Sequence, residues 1–194
     1  VDDQRPPCRR VDFKRDPASG RWYLLEINAR CTLWHYLGAA NGLNLMQVAF
    51  YGLGEIAYQK KDFPKALRYF TDGSEKIAAV QKLKDISVGR AKTLLVLGKL
   101  DEAQKGFEQV ASVREWRGES TAFSVYSLGE IEAKREKWAE ANAYFQRVYV
   151  AYRKFLPWVA KAYIRSGESF EKLGKKEEAA NTYREMLRNE KLGS

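Results

Sequence analysis

One spacing recurs four times along the chain and constrains its fold more than any other feature. An alanine is followed four residues later by an aromatic residue, and the pair returns every 37 or 38 residues. The four pairs are Ala66/Phe70, Ala103/Phe107, Ala141/Phe145 and Ala179/Tyr183. A period of this length is the signature of repeat architectures, in which each unit packs mainly on its neighbours. We therefore predict a mostly helical solenoid of four units, with approximate bounds 46–82, 83–119, 120–157 and 158–194.

Each unit is predicted to be a helical hairpin. A small residue in the first helix lets the two backbones approach closely. This residue is Gly54, Ala91, Gly129 or Gly167 in successive units. Asp62 is placed to cap the second helix of the first unit, and Gly98 and Gly174 are placed to form the turn in the second and fourth units. The large side chains between the helices are expected to form the core: Phe63, Phe70, Phe107, Trp138 and Phe145.

The segments FYGLGEIAYQKKDFPKALRYF and VYSLGEIEAKREKWAEANAYF resemble the tetratricopeptide repeat (TPR) family, and the resemblance extends over residues 46–192. Several features depart from the family pattern, including the absence of the usual closing proline and Lys176 in place of an aromatic residue in the fourth unit. The period exceeds the usual length of about 34 residues, and the second unit has Arg90–Ala91 where the family has Leu–Gly. The resemblance implies a non-enzymatic scaffold that binds a protein or peptide partner in a concave groove. We found no lysine, asparagine and arginine clamp for acidic C-terminal peptides, which disfavours a chaperone-tail adaptor.

The same resemblance implies that first-helix side chains line the groove, with aromatic residues as anchors. Carried over position by position, these side chains are Tyr51, Glu55, Tyr58, Val88, Lys92, Leu95, Phe123, Tyr126, Glu130, Lys134, Ile164 and Glu168. Some of them are expected to pack on the next repeat instead of facing a partner.

The first 45 residues follow a different pattern, for which we predict a β-hairpin and a short helix. Strand-forming residues occupy 11–15 and 22–28, on either side of a turn that contains Pro17 and Gly20. Residues 8–45 resemble the C-terminal metal-binding hairpin of the ATP-grasp superfamily. That resemblance implies that Asp12, Glu26 and Asn28 hold Mg²⁺ ions that bridge ATP phosphates, with Arg30 near the phosphates or the substrate.

An enzyme is therefore the alternative function: an ATP-grasp carboxylate–amine ligase, or the remnant of one, with a TPR array that recruits its substrate or partner. Only ten residues precede the hairpin, whereas nucleotide-binding lobes should come before it. We therefore favour the scaffold and expect no cofactor; Mg²⁺ and ATP are expected only if the alternative holds.

Composition excludes several other classes. The single histidine and two cysteines exclude a multi-histidine metal cluster and a disulfide framework. No apolar run approaches the roughly 18 residues of a membrane span, and we expect a cytoplasmic protein. The chain carries a net charge of +9, yet the twenty first-helix positions facing the groove carry four lysines against five acidic residues. The basic excess thus lies outside the predicted binding face, and nucleic acid is a disfavoured partner.

Overall fold

The computed structural model describes residues 11–15, 22–27, 45–76 and 83–189. The chain divides into two compact units, residues 1–48 and 49–194. In the N-terminal unit, residues 1–48, strands β1 (Val11–Arg15) and β2 (Trp22–Ile27) pair antiparallel. The register places Asp12 opposite Glu26, with an irregularity between Asp12 and Phe13. The helix expected shortly after the hairpin lies outside the described residues.

Eight α-helices occupy the rest of the described chain. They are α1 (Leu45–Gln59), α2 (Phe63–Lys76), α3 (Lys84–Val96), α4 (Leu100–Ser112), α5 (Glu119–Lys134), α6 (Trp138–Ala151), α7 (Leu156–Lys172) and α8 (Lys176–Arg188). A short 3₁₀ turn, Arg114–Trp116, lies between α4 and α5. The helices form four hairpins, which confirms the predicted helical solenoid.

The repeated alanine–aromatic pair forms the core. Phe70, Phe107 and Phe145 are fully buried, as predicted, whereas Phe63 and Trp138 are only partly buried. Glycines make room for these rings. A Cβ at Gly129 would lie 2.6 Å from the Phe145 ring, a distance that real Cβ atoms do not reach. The absence of a side chain therefore allows the two helices of a hairpin to close on the aromatic ring.

The turn between the two helices uses a left-handed residue in every unit. Gly98 and Gly174 have φ angles of 75° and 74°, as predicted, but Lys61 and Glu136 adopt the same conformation with φ of 61°. Asp62 caps α2 by accepting the Lys65 backbone N–H at 3.2 Å. Glycine adopts a positive φ without strain, whereas this conformation costs other residues free energy. A glycine in the sequence therefore predicts the turn, and Lys61 and Glu136 do not.

Stacking brings the first helices of successive hairpins side by side. The second helix of each hairpin packs on the first helix of the next: α2 on α3, α4 on α5, and α6 on α7. In addition, α3 contacts α5, and α5 contacts α7. The first helices therefore form one continuous surface, which carries most of the predicted partner-binding residues.

Candidate partner-binding groove

An open groove of about 250 Å³ lies on the surface formed by the first helices. Its lining is mostly apolar and comes from α1, α3, α5 and the start of α7. The residues are Tyr51, Glu55, Asp85, Val88, Gly89, Lys92, Phe123 and Trp158. Five of the twelve residues predicted for the partner groove are among them. We call this feature the groove.

Aromatic side chains form one wall of the groove. The Phe123 and Trp158 ring centroids are 4.9 Å apart, and the Tyr126 centroid lies 5.7 Å from that of Trp158. Phe123 also makes an edge contact of 5.6 Å with the buried Phe107. Tyr51 is 37% exposed and faces the groove from α1. The wall is thus held by the core beneath it while leaving apolar surface in contact with solvent.

Two carboxylates, Glu55 and Asp85, lie near Tyr51 and make this edge of the groove acidic. Partial burial raises the pKa of Tyr51, and the negative charges of Glu55 and Asp85 raise it further. Lys92 lies in the same region, but its Nζ is 3.9 Å from the centroid of the Tyr58 ring. This cation–π contact directs the lysine towards Tyr58. Glu55 and Asp85 together carry two negative charges against the one positive charge of Lys92, so this part of the lining has a net charge of −1.

The predicted groove residues Glu130 and Glu168 form ion pairs with Arg165 of the same chain. Arg165 donates from Nε to Glu130 Oε1 at 2.5 Å and from Nη2 to Glu130 Oε2 at 3.2 Å, and it also donates to Glu168. Burial raises the pKa of Tyr126, and the nearby Glu130 adds to this effect. Arg165 hydrogen-bonds to both carboxylates but offsets only one of their two charges, so this cluster keeps a net charge of −1.

The other predicted groove residues lie outside the groove lining. Tyr58 makes an edge contact with Phe63, their centroids 5.3 Å apart, and Leu95 packs against the core. Ile164 is 42% exposed, and Lys134 is also exposed near the end of α5. Trp158 was not predicted from the sequence. It lies about one helical turn before the first residue of the fourth unit that was transferred from the family pattern. The only available signal was a tryptophan directly after Pro157.

The magnesium ligands predicted from the sequence belong to the N-terminal hairpin and the residues that follow it. Asp12 and Glu26 are opposite each other in the hairpin, whereas Asn28 and Arg30 lie outside the described residues. Across the part of the chain that the structure describes, no group of three or more histidine, cysteine, aspartate or glutamate residues could hold a metal ion. Within the same residues, none of the helices has the length and apolar character that a membrane span requires.

Comparison with known proteins identifies the family. The tetratricopeptide repeat model matches residues 88–154 and 126–191, together just over half of the chain. The chain therefore belongs to the tetratricopeptide repeat family, and it is a protein–protein interaction scaffold. No curated protein matches it.

Two solved structures show the same fold at low identity. The chain is similar to the nearly identical TPR-like repeats of a putative kinesin light chain from Podospora anserina, with a TM-score of 0.60 and 14% identity over 78% of this chain and 79% of that one. It is also similar to the MamA RS-1 ArsTM double mutant, with a TM-score of 0.59 and 16% identity over 73% of both chains. The comparisons give no support to the resemblance of residues 8–45 to ATP-grasp enzymes.

Proposed function

We propose that the groove binds a short segment of a protein partner, and that the segment carries a large apolar side chain beside a lysine or arginine. The observation that carries this proposal is the convergence of Tyr51, Phe123 and Trp158, from three different hairpins, on one open and mostly apolar surface. Aromatic side chains at the centre of such a surface supply most of the binding energy in protein interfaces. The proposal needs no cofactor and expects the partner in the cytoplasm.

Charge supports the choice of a basic segment. Glu130 and Glu168 are already paired with Arg165, which leaves Glu55 and Asp85 as the acidic groups of the groove. Asp85 has a neighbour in Lys84 at 3.9 Å, but both side chains are largely exposed, and such surface pairs contribute little. A cation of the partner can therefore approach Glu55 and Asp85 while its apolar neighbour contacts the aromatic wall.

The test is a selection of peptides from a random displayed library on the full chain, followed by affinity measurement for a selected peptide. We expect enrichment of lysine or arginine next to a large apolar residue. Tyr51→Ala should weaken binding at least tenfold, which corresponds to about 1.4 kcal/mol. Glu55→Gln and Asp85→Asn should weaken it several-fold and reduce its dependence on salt.

Matched controls separate the groove from the rest of the surface. Leu187→Ala changes an apolar side chain that is 84% exposed on α8, and Glu115→Gln removes an exposed carboxylate outside the groove. Both variants should bind like the unchanged protein. Binding that survives Tyr51→Ala, or that Leu187→Ala weakens equally, would show that the segment does not occupy the groove.

The hairpin supports a second candidate, a site for Mg²⁺ and ATP at Asp12, Glu26 and Asn28, with Arg30 near the phosphates. Its support is the register that places Asp12 opposite Glu26, together with the preference of Mg²⁺ for hard oxygen ligands. Thermal unfolding with and without Mg²⁺ and ATP tests it. A rise in melting temperature with Mg²⁺ and ATP that Glu26→Ala abolishes would support the enzyme alternative. If the melting temperature does not rise, the enzyme alternative is wrong.

A further inference from the structure

Arg90 occupies a repeat position where the third unit has a core leucine. The equivalent residue, 38 positions later, is Leu128, which is only 4% exposed. The Nε atom of Arg90 is buried and, within the described part of the chain, has no hydrogen-bond partner. A buried donor that has lost water without gaining an acceptor costs free energy. The structure of the second unit therefore gives no internal reason for an arginine at this position.

Arg90 lines an open cleft of about 330 Å³ bordered by α2, α3 and α4. We call it the second-unit cleft, and it shares no lining residue with the groove. Its lining includes a second cation and several neutral polar groups: Lys105, Ser74, Ser87 and Gln109. Glu102 is the acidic residue of the lining, and its Oε1 lies 3.1 Å from the Nζ of Lys99. The cleft thus combines two cations, Arg90 and Lys105, with one carboxylate, Glu102, and its lining has a net charge of +1.

In the fourth unit, the residue equivalent to Arg90 is paired with a residue of the preceding hairpin. Ser166, 76 residues after Arg90, is buried and donates to Asn142 Oδ1 at 2.5 Å. The residue equivalent to Asn142 in the first unit, 75 positions earlier, is Leu67. A leucine supplies no acceptor. The fourth unit therefore pairs the polar side chain at this position, whereas the second unit does not.

A further pair of positions differs in the same way. Tyr163 and Glu185 are equivalent to Ser87 and Gln109, each 76 residues later, and they line a cleft between α6, α7 and α8. There the Tyr163 hydroxyl donates to Glu185 Oε1 at 3.0 Å. The fourth-unit cleft thus contains its own acceptor for a buried donor. In the second-unit cleft, the neutral Gln109 takes the place of that carboxylate.

We propose that the second-unit cleft binds an oxyanion group of a protein partner, a carboxylate or a phosphate, through the guanidinium of Arg90 with support from Lys105. An arginine fork matches the paired oxygens of either group, and charge-assisted hydrogen bonds of this kind are stronger than neutral ones. Because Nε is buried, the Arg90 side chain would turn towards the cleft on binding, and the oxyanion would then supply the acceptor that the second unit lacks. The site is separate from the groove, so its test does not depend on the groove proposal.

The experiment titrates the full ¹⁵N-labelled chain with sodium phosphate, and in parallel with sodium acetate, at constant ionic strength maintained with sodium chloride. The Arg90 Nε–Hε signal should shift saturably with the bound anion. Phosphate at ten times its Kd should stabilise the chain by about 1.4 kcal/mol and so raise the melting temperature by about 3–6 °C. A response to both anions would show that a carboxylate suffices, and a response to phosphate alone would assign the site to a phosphorylated partner.

Variants identify the residue responsible. Arg90→Leu should fold, because Leu128 shows that the position accepts leucine; in chloride alone it should melt no lower than the unchanged protein. It should lose the phosphate-dependent rise, whereas Arg68→Leu, an exposed arginine of α2 outside the cleft, should keep it. Lys105→Gln should weaken phosphate binding, and unchanged affinity would remove Lys105 from the site. A stationary Arg90 signal with both anions, or a rise that persists in Arg90→Leu, would overturn the proposal.

Discussion

Two glycines of α1 lie in opposite surroundings, so the same substitution should change stability in opposite directions. A Cβ at Gly52 would meet no atom within 4 Å. At Gly54 it would overlap the ring of Phe70, whose Cζ would be 2.6 Å away. The ring has little freedom to move, because it is fully buried and Gly89 of α3 approaches it equally closely. Phe70 is thus held between the first helices of two successive hairpins.

The size of each effect follows from two terms. Replacing glycine by alanine inside a helix stabilises by about 0.5–1 kcal/mol, because the unfolded chain loses conformational freedom. Forcing an extra methyl group into a packed core costs about 1–3 kcal/mol. Gly52→Ala should therefore gain about 0.5–1 kcal/mol, whereas Gly54→Ala should lose about 1 kcal/mol after the two terms partly cancel. The difference between the variants, about 1–3 kcal/mol, is the steric term alone.

The assay is urea unfolding followed by far-ultraviolet circular dichroism, with thermal unfolding as the second measurement. For a chain of this size each kcal/mol corresponds to about 2–4 °C in melting temperature. Because repeat arrays can unfold in more than one step, the midpoints of the two variants should be compared under identical conditions. If Gly54→Ala proves as stable as Gly52→Ala, the close approach at Phe70 does not limit the packing of the hairpins.

Two further predictions concern the turns and the alkaline limit. Lys61→Gly and Glu136→Gly should each raise the free energy of unfolding by about 0.5–1 kcal/mol in urea, because glycine adopts the left-handed conformation without strain. Lys61→Ala retains a Cβ and should give no such gain. Equal gains for glycine and alanine would refute the reasoning. Burial and then the hydrogen bond to Glu185 raise the pKa of Tyr163 to about 12 from its ordinary value of 10, so stabilisation present below pH 10 should be lost as the pH rises towards 12. Tyr163→Phe should cost about 1 kcal/mol at pH 8 and should flatten the fall of melting temperature above pH 10; an unchanged slope would contradict this assignment.

The repeat period was sufficient to predict the helices and most of the core, because both depend on contacts within a unit or with its immediate neighbour; Phe63 and Trp138 are only partly buried. Phe70, Phe107 and Phe145 occupy equivalent positions and are buried in the same way. The turns were predicted only in part. Glycine identifies two of them, whereas Lys61 and Glu136 adopt the same strained conformation without any sequence signal, since the surrounding helices impose it.

The groove was harder to predict, because its lining depends on how side chains from all four hairpins meet. Tyr51, Val88 and Phe123, which were chosen by repeat position, lie together in the lining of the groove. Choice by repeat position missed Trp158, which reaches the groove from the first turn of α7, and it did not foresee that Arg165 would occupy the carboxylates near Tyr126. A repeat position indicates which face of a helix a residue lies on. The size and charge of residues in the next hairpin decide whether that face stays open.

The second unit shows why departures from a repeat pattern are informative. In a solenoid each unit packs mainly on its neighbours, so a locally unfavourable residue lowers stability without preventing the array from forming. Lys61 and Glu136 are departures of this kind in exposed or half-buried turns. Arg90 differs from them, because it lines a cleft and its Nε lacks a partner among the described residues. The unsatisfied donor of Arg90 lowers the stability of the fold, and a bound acceptor would restore the missing hydrogen bond. Such a residue is better explained by binding than by folding.

Helix α3 links the two proposed sites. Its sequence, KDISVGRAKTLLV, mixes polar and apolar residues around the helix instead of separating them onto two faces. Asp85, Val88 and Lys92 of this helix line the groove, whereas Ser87 and Arg90 line the second-unit cleft. Because α3 packs against α2, α4 and α5, its buried residues are spread around the helix and do not form a single apolar stripe. Since α3 lines both sites, a partner that contacts both would span a single helix.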